Sequence, residues 1–172
     1  MSKIEFLKDQ IIESRNFVNR LISELPQELW YTIPANTDSN FAWQIGHLMM
    51  SQNFHAITVI TGKNEKIYDL IPVVNYVKLF NGMGALHRSV EKDLIPTSKL
   101  KEQLDTVHEI CLDNLCKLTD DILDNKLETI LFKHPVANIK YEAISWSFKH
   151  EMWHSAEMEA IKRDLGYPIK WI

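Results

Sequence analysis

The sequence predicts an all-α protein, a four-helix bundle in up-down-down-up order. Three observations predict it. Apolar residues recur at spacings of three and four along four long stretches, which is the helical period. Only five of the 172 residues are glycine, few for a sheet with many tight turns. The segment between the second and third stretches is long enough to carry the chain from one end of a bundle to the other. The whole chain, 1–172, reads as one domain.

The first helix is marked by Ile4, Leu7, Ile11, Val18, Leu21 and Leu25, with Ser14 in the one polar gap and Pro26 at its end. A loop carrying Pro34, Asn36, Asp38, Ser39 and Asn40 follows. Ser39 or Asn40 can cap the second helix, which runs from about Phe41 to Thr61 and stops at Gly62. Trp43, His47, Met50 and Phe54 form one stripe along it, so His47 faces inward. Residues 63–96 are the least regular, with Pro72, Asn81, Gly82, Gly84 and Pro96, and hold room for one short helix.

The third helix follows Pro96, capped by Thr97 or Ser98, and buries Leu100, Leu104, Val107, Cys111, Leu115, Leu118 and Ile122. The fourth starts near Asn138 and ends at Gly166, with Pro168 just beyond. Trp146, His150, His154 and Glu157 share one stripe of it, and Ile144, Phe148 and Met152 a neighbouring one. A crossover between helices 2 and 3 makes helices 2 and 4 antiparallel. His47 then lies roughly 10 Å from the start of helix 2 and His154 roughly 18 Å from the end of helix 4, so a small axial offset brings them level.

Composition excludes several classes. The formal net charge is −4 and no run of Lys and Arg stands out, so no nucleic-acid partner is expected. The first residues do not read as a signal peptide and no apolar run is long enough to span a bilayer, which points to a cytoplasmic protein. Cys111 and Cys116 are five apart on one helix and point roughly 140° apart, so they read as reduced thiols, Cys111 in the core.

The chemistry concentrates in His150-Glu151-Met152-Trp153-His154. Histidines four apart share a helix face, and the run matches the H-E-x-x-H pattern of helical zinc sites. A protease of that pattern needs a third ligand downstream. Here Glu157 and Ala160 stand where one protease group has its glycine and third histidine, and no later helix offers a glutamate. The third ligand must come from upstream, and inward-facing His47 is the best candidate. Three neutral imidazoles leave open positions on a divalent ion, the arrangement of a catalytic site. Zinc or nickel, or else iron, suits such ligands.

Two segments also resemble a known family, the DinB-like (DinB/YfiT) superfamily of bacterial four-helix-bundle metalloproteins. They are Phe41-Ala42-Trp43-Gln44-Ile45-Gly46-His47-Leu48 and Trp146-Ser147-Phe148-Lys149-His150-Glu151-Met152-Trp153-His154. The resemblance implies a metal triad of His47, His150 and His154, a long crossover and, in many members, a homodimer. It also implies a reaction on a small molecule. Some members transfer a low-molecular-weight thiol such as bacillithiol or mycothiol, and others are described as metal-dependent hydrolases. The family name comes from DNA-damage induction, a stress response, and implies no DNA binding. One departure is that Ser155, Ala156 and Glu157 stand where many relatives have a small residue, Gly and Gln.

The expected function is therefore a metal-dependent thiol transferase or hydrolase with a three-histidine site. The alternative is a non-catalytic stress-response protein whose metal stabilises the bundle. Glu151 reads as a general base or as half of a salt bridge. Glu157 orients a ligand or lies at the rim. Trp43, Trp146 and Trp153 read as core, those on the histidine stripes lining a pocket mouth. His55, His87, His108 and His134 have no ligand partner at helical spacing and read as surface or structural.

Overall fold

The computed structural model describes residues 1–81, 88–92, 94–130 and 133–170. Among these the chain is all-α, with no strand and two isolated bridges, Ser39 to Arg88 and Lys126 to Ile139. Helix α1 spans Lys3–Glu24 and begins with a capping box, in which Ser2 accepts from Glu5 N–H and the Glu5 carboxylate accepts from Ser2 N–H. The apolar seam read from the sequence is buried, and Ser14 in its gap donates to the Ile11 carbonyl.

Helix α2 spans Phe41–Asn53, passes through a π-turn at Phe54–Thr58 and closes with Val59–Thr61. Asn40, one of the two expected caps, accepts from Trp43 N–H at 2.9 Å. Gly62 ends the helix at φ +86°, where an L side chain is strained. The irregular segment holds two short helices, α3 (Glu65–Leu70) and α4 (Val73–Phe80), instead of one. Gly82, Gly84 and His87 lie outside the described residues.

Helix α5 spans Thr97–Leu115. Neither Thr97 nor Ser98 caps it: Pro96 holds the cap position with no side-chain bond, and the Thr97 hydroxyl donates instead to Gln27. The helix also ends earlier than its apolar pattern. Leu118 and Ile122 are half-buried beyond it, Ile122 in a 3-10 turn at Asp120–Ile122, because an apolar contact does not require helical backbone. Helix α6 spans Lys140–Asp164.

The four long helices pack on one another through a continuous apolar core, consistent with a bundle. Polar contacts show which ends meet. Asp120, just past α5, accepts from the N–H groups of Lys3 and Ile4 at the start of α1. Along α1 and α6, Arg15 meets Glu151 and, farther on, Glu24 meets Lys162. Gln44, early in α2, reaches Glu157, late in α6, whereas His55 packs against the earlier His150. No helix of the described residues is long and apolar enough to cross a membrane.

Candidate metal centre

The site begins at the capped start of α2. From there the helix carries Gln44 and His47 toward α6, one turn apart. Between them Gly46 lets α4 approach: a Cβ at this position would come within 2.1 Å of the Phe80 ring. That close approach brings the Phe80 carbonyl to His47, whose Nδ1–H donates to it at 2.7 Å. The proton is thereby fixed on Nδ1, leaving a lone pair on Nε2, to which the Ser51 hydroxyl comes within 3.3 Å. Trp43 stacks on the His47 ring, centroids 4.7 Å apart.

Helix α6 supplies the other two rings. His154 Nδ1 donates to Gln44 Oε1 at 2.8 Å, which fixes its tautomer in the same sense. Gln44 can only accept there, because its NH2 is committed to Ser39 Oγ and Glu157, each at 2.9 Å. One nitrogen from each of His47, His150 and His154 lies within 4.8 Å of the others, and these three form the cluster found among the described residues.

Burial, reinforced by neighbouring histidines, lowers His47 to about 4 and His150 to about 3. Both rings are therefore neutral near pH 7, the state metal ligation needs. His150 also has a buried Nδ1 with no hydrogen-bond partner among the described residues. A convergent, neutral donor set with an unsatisfied ring fits a divalent ion well.

Glu157 sits behind this cluster. It accepts both Nη1 contacts from Arg88, at 2.8 and 2.9 Å, and lies 3.2 Å from His154 Nδ1. Burial alone would raise its carboxyl; the hydrogen bonds from His154, Arg88 and Gln44 outweigh that and bring it down to about 2. Arg88 also pairs with Asp38 and lies 5.9 Å from the Trp43 ring.

Glu151 faces the other way round α6. Its carboxylate is buried and accepts from Arg15 Nε at 2.5 Å, on the α1 side. The tryptophans divide. Trp43 is core, Trp146 is half-buried with its ring 6.0 Å from His150, and Trp153 is 61% exposed, so it is not core. Trp153 lies alongside His154 instead, centroids 6.4 Å apart.

Gln44, Arg88 and the contact of the His55–His134 pair with His150 escaped sequence reasoning. Gln44 lay inside the Trp43–His47 segment, one turn before the histidine, and that spacing was an available signal. Arg88 had none: it arrives through backbone bonds between segments 38–40 and 88, which no periodicity encodes. His55 and His134 are both buried, joined by a 2.8 Å hydrogen bond, and His55 packs edge-on against His150 at 5.4 Å. His108, also without a ligand role, accepts from Gln52.

Fold and site together define a class: an all-helical protein whose helices present three histidines to one point where a metal can sit. The chain belongs to the DinB superfamily, whose family model matches residues 10–158. No curated protein matches the chain.

Proposed function

We propose that the chain is a metal-dependent enzyme in which His47, His150 and His154 hold one divalent ion, zinc or nickel. In this reading the substrate is a small electrophile and the nucleophile is water or a low-molecular-weight thiol, so the reaction is hydrolysis or thiol transfer. The observation that carries it is the three-ring cluster itself, which could hold a metal through three ligands, with no fourth among the described residues. A structural site is usually closed by four protein ligands; three leave a position for a reactant.

A bound divalent ion would supply Lewis acidity, lowering the pKa of water or a thiol toward neutrality. The protein's own groups prepare that place. Phe80 and Gln44 lock the tautomers of His47 and His154. Glu157, kept ionised by Arg88 and Gln44, puts negative charge behind His154 and strengthens it as a donor. Trp146 and Trp153 flank the α6 histidines and offer apolar surface to a substrate's carbon frame. Glu151 serves the bundle rather than the reaction, since Arg15 occupies it.

The end-to-end pairings of the four long helices support the up-down-down-up order, with α3 and α4 in the crossover. The net charge of −4 supports a protein that works on small molecules and not on nucleic acid. The test is metal analysis of the purified protein beside His47→Ala. The expected outcome is about one equivalent in the parent and none in the variant. Full retention by the variant would remove the triad. A screen of thiols against a generic electrophile then separates transfer from hydrolysis.

A further inference from the structure

A second pair of histidines lies beside the cluster, and its hydrogen bonds fix where each proton sits. His134 Nδ1 accepts two backbone N–H groups, from Ala137 at 2.9 Å and Val136 at 3.3 Å. A backbone N–H can only donate, so that nitrogen carries no proton and the His134 proton is on Nε2. His134 Nε2 lies 2.8 Å from His55 Nδ1 and must be the donor in that bond. His55 Nδ1 is therefore an acceptor, and the His55 proton is on Nε2.

Two features hold the pair in place. Phe54 stacks flat on His134, centroids 5.5 Å apart and planes 8° apart, and meets His55 edge-on at 5.0 Å. The π-turn at Phe54–Thr58 contains both Phe54 and His55. A π-turn shifts the phase of a helix by part of a residue, and such turns are frequent at functional sites. His55 packs edge-on against His150, and its Nε2 is not among the enclosed side-chain atoms left without a partner, so that N–H is open to a ligand beside the cluster. A ring N–H whose direction is fixed in advance donates to a ligand with little ordering cost.

We propose that His55, locked as the Nε2–H tautomer by His134, donates a hydrogen bond to the anionic or polar ligand held at the three-histidine site. His55 would thus be a ligand-binding residue, and His134 a positioning residue acting through it. A ligand that offers a lone pair toward α2 would bind better than one that offers an N–H or an apolar group there. This inference rests on the metal site proposed above.

The test uses cobalt-substituted protein and azide, followed by the visible absorption of the metal. Wild type is compared with His55→Phe, which keeps a flat ring and loses the N–H. The expected result is full cobalt occupancy in both and an azide affinity about tenfold weaker in the variant, the worth of one hydrogen bond. A ring that only packed would leave that affinity unchanged, so equal affinities at full occupancy would overturn the inference and leave the metal site standing. Wild-type protein that takes up no cobalt would overturn the metal site, and this inference with it. Long-range proton–nitrogen NMR of zinc-loaded wild type reads the tautomers directly and does not depend on the variant folding. Nε2–H on both His55 and His134 is expected; a His55 protonated on Nδ1 overturns the proposal.

Discussion

Gln44 shows how much one side chain contributes at this site. Its amide oxygen takes the His154 Nδ1–H and its NH2 holds Ser39 and Glu157, so all its polar capacity near the cluster is in use. Gln44→Ala removes the group that orients His154. The expected outcome is a metal affinity weaker by about 10- to 100-fold, measured by competition with a chelator, with the fold retained. Glu151 belongs to a different account. Arg15 is 1% exposed and gives Nε to Glu151, Nη1 to the Leu104 carbonyl and Nη2 to Gln52. One guanidinium thus ties α1 to α6, α5 and α2. Glu151→Gln leaves a buried cation without its counter-charge, and a loss of about 3–5 kcal/mol is expected in urea unfolding. Metal stoichiometry should be unchanged in that variant; loss of metal at intact fold would give Glu151 a direct part in the site.

At the level of elements, the junction of α2 with α4 positions His47. Helix α4 ends on Phe80, whose ring occupies the space a side chain at 46 would need and whose carbonyl takes the His47 proton. Gly46→Ala forces that ring back or pushes α4 outward. The expected cost is about 1–3 kcal/mol by thermal or urea unfolding, together with weaker metal binding as the Phe80 carbonyl shifts. The π-turn in α2 acts at the same scale. A regular helix turns His55 roughly 80° from the direction of His47, which made it look irrelevant to the site. The widened turn alters that phase, and His55 meets His150.

For the molecule as a whole, the buried histidines couple folding to pH. His47 is lowered to about 4, His150 and His108 to about 3, and His55 lies well below its ordinary value, burial being the first cause in each case. In the unfolded chain these rings take up protons near 6.5. Between those values the unfolded state binds more protons than the folded one, so stability rises with pH across the window. Metal-free protein should therefore melt at progressively lower temperature as the pH falls from 7 toward 4, and change little between 7 and 8. Bound metal adds to stability at neutral pH, and chelator should lower the melting temperature there. A pH-independent melt would show that the rings are solvated.

Local spacing was enough for the helices and for the three histidines. The period of three and four marked α1, α2, α5 and α6, and i, i+4 spacing put His150 and His154 on one face. The stripe from Trp43 to Phe54 turned His47 inward. These features depend only on helix geometry, which is the same wherever a helix forms. The partners of those residues were decided by the tertiary structure. Arg15 lies outside the apolar seam read from the sequence and is nonetheless buried; Trp153 read as core and is exposed. Arg88 and His134 reach the site from irregular segments with no period to read. Hydrogen bonds and ion pairs between distant segments depend on how helices are laid against each other, and no local pattern carries that information. The sequence by itself determined the helices and the metal-ready histidines; only the packing decided which groups fix their protons and which stand beside them.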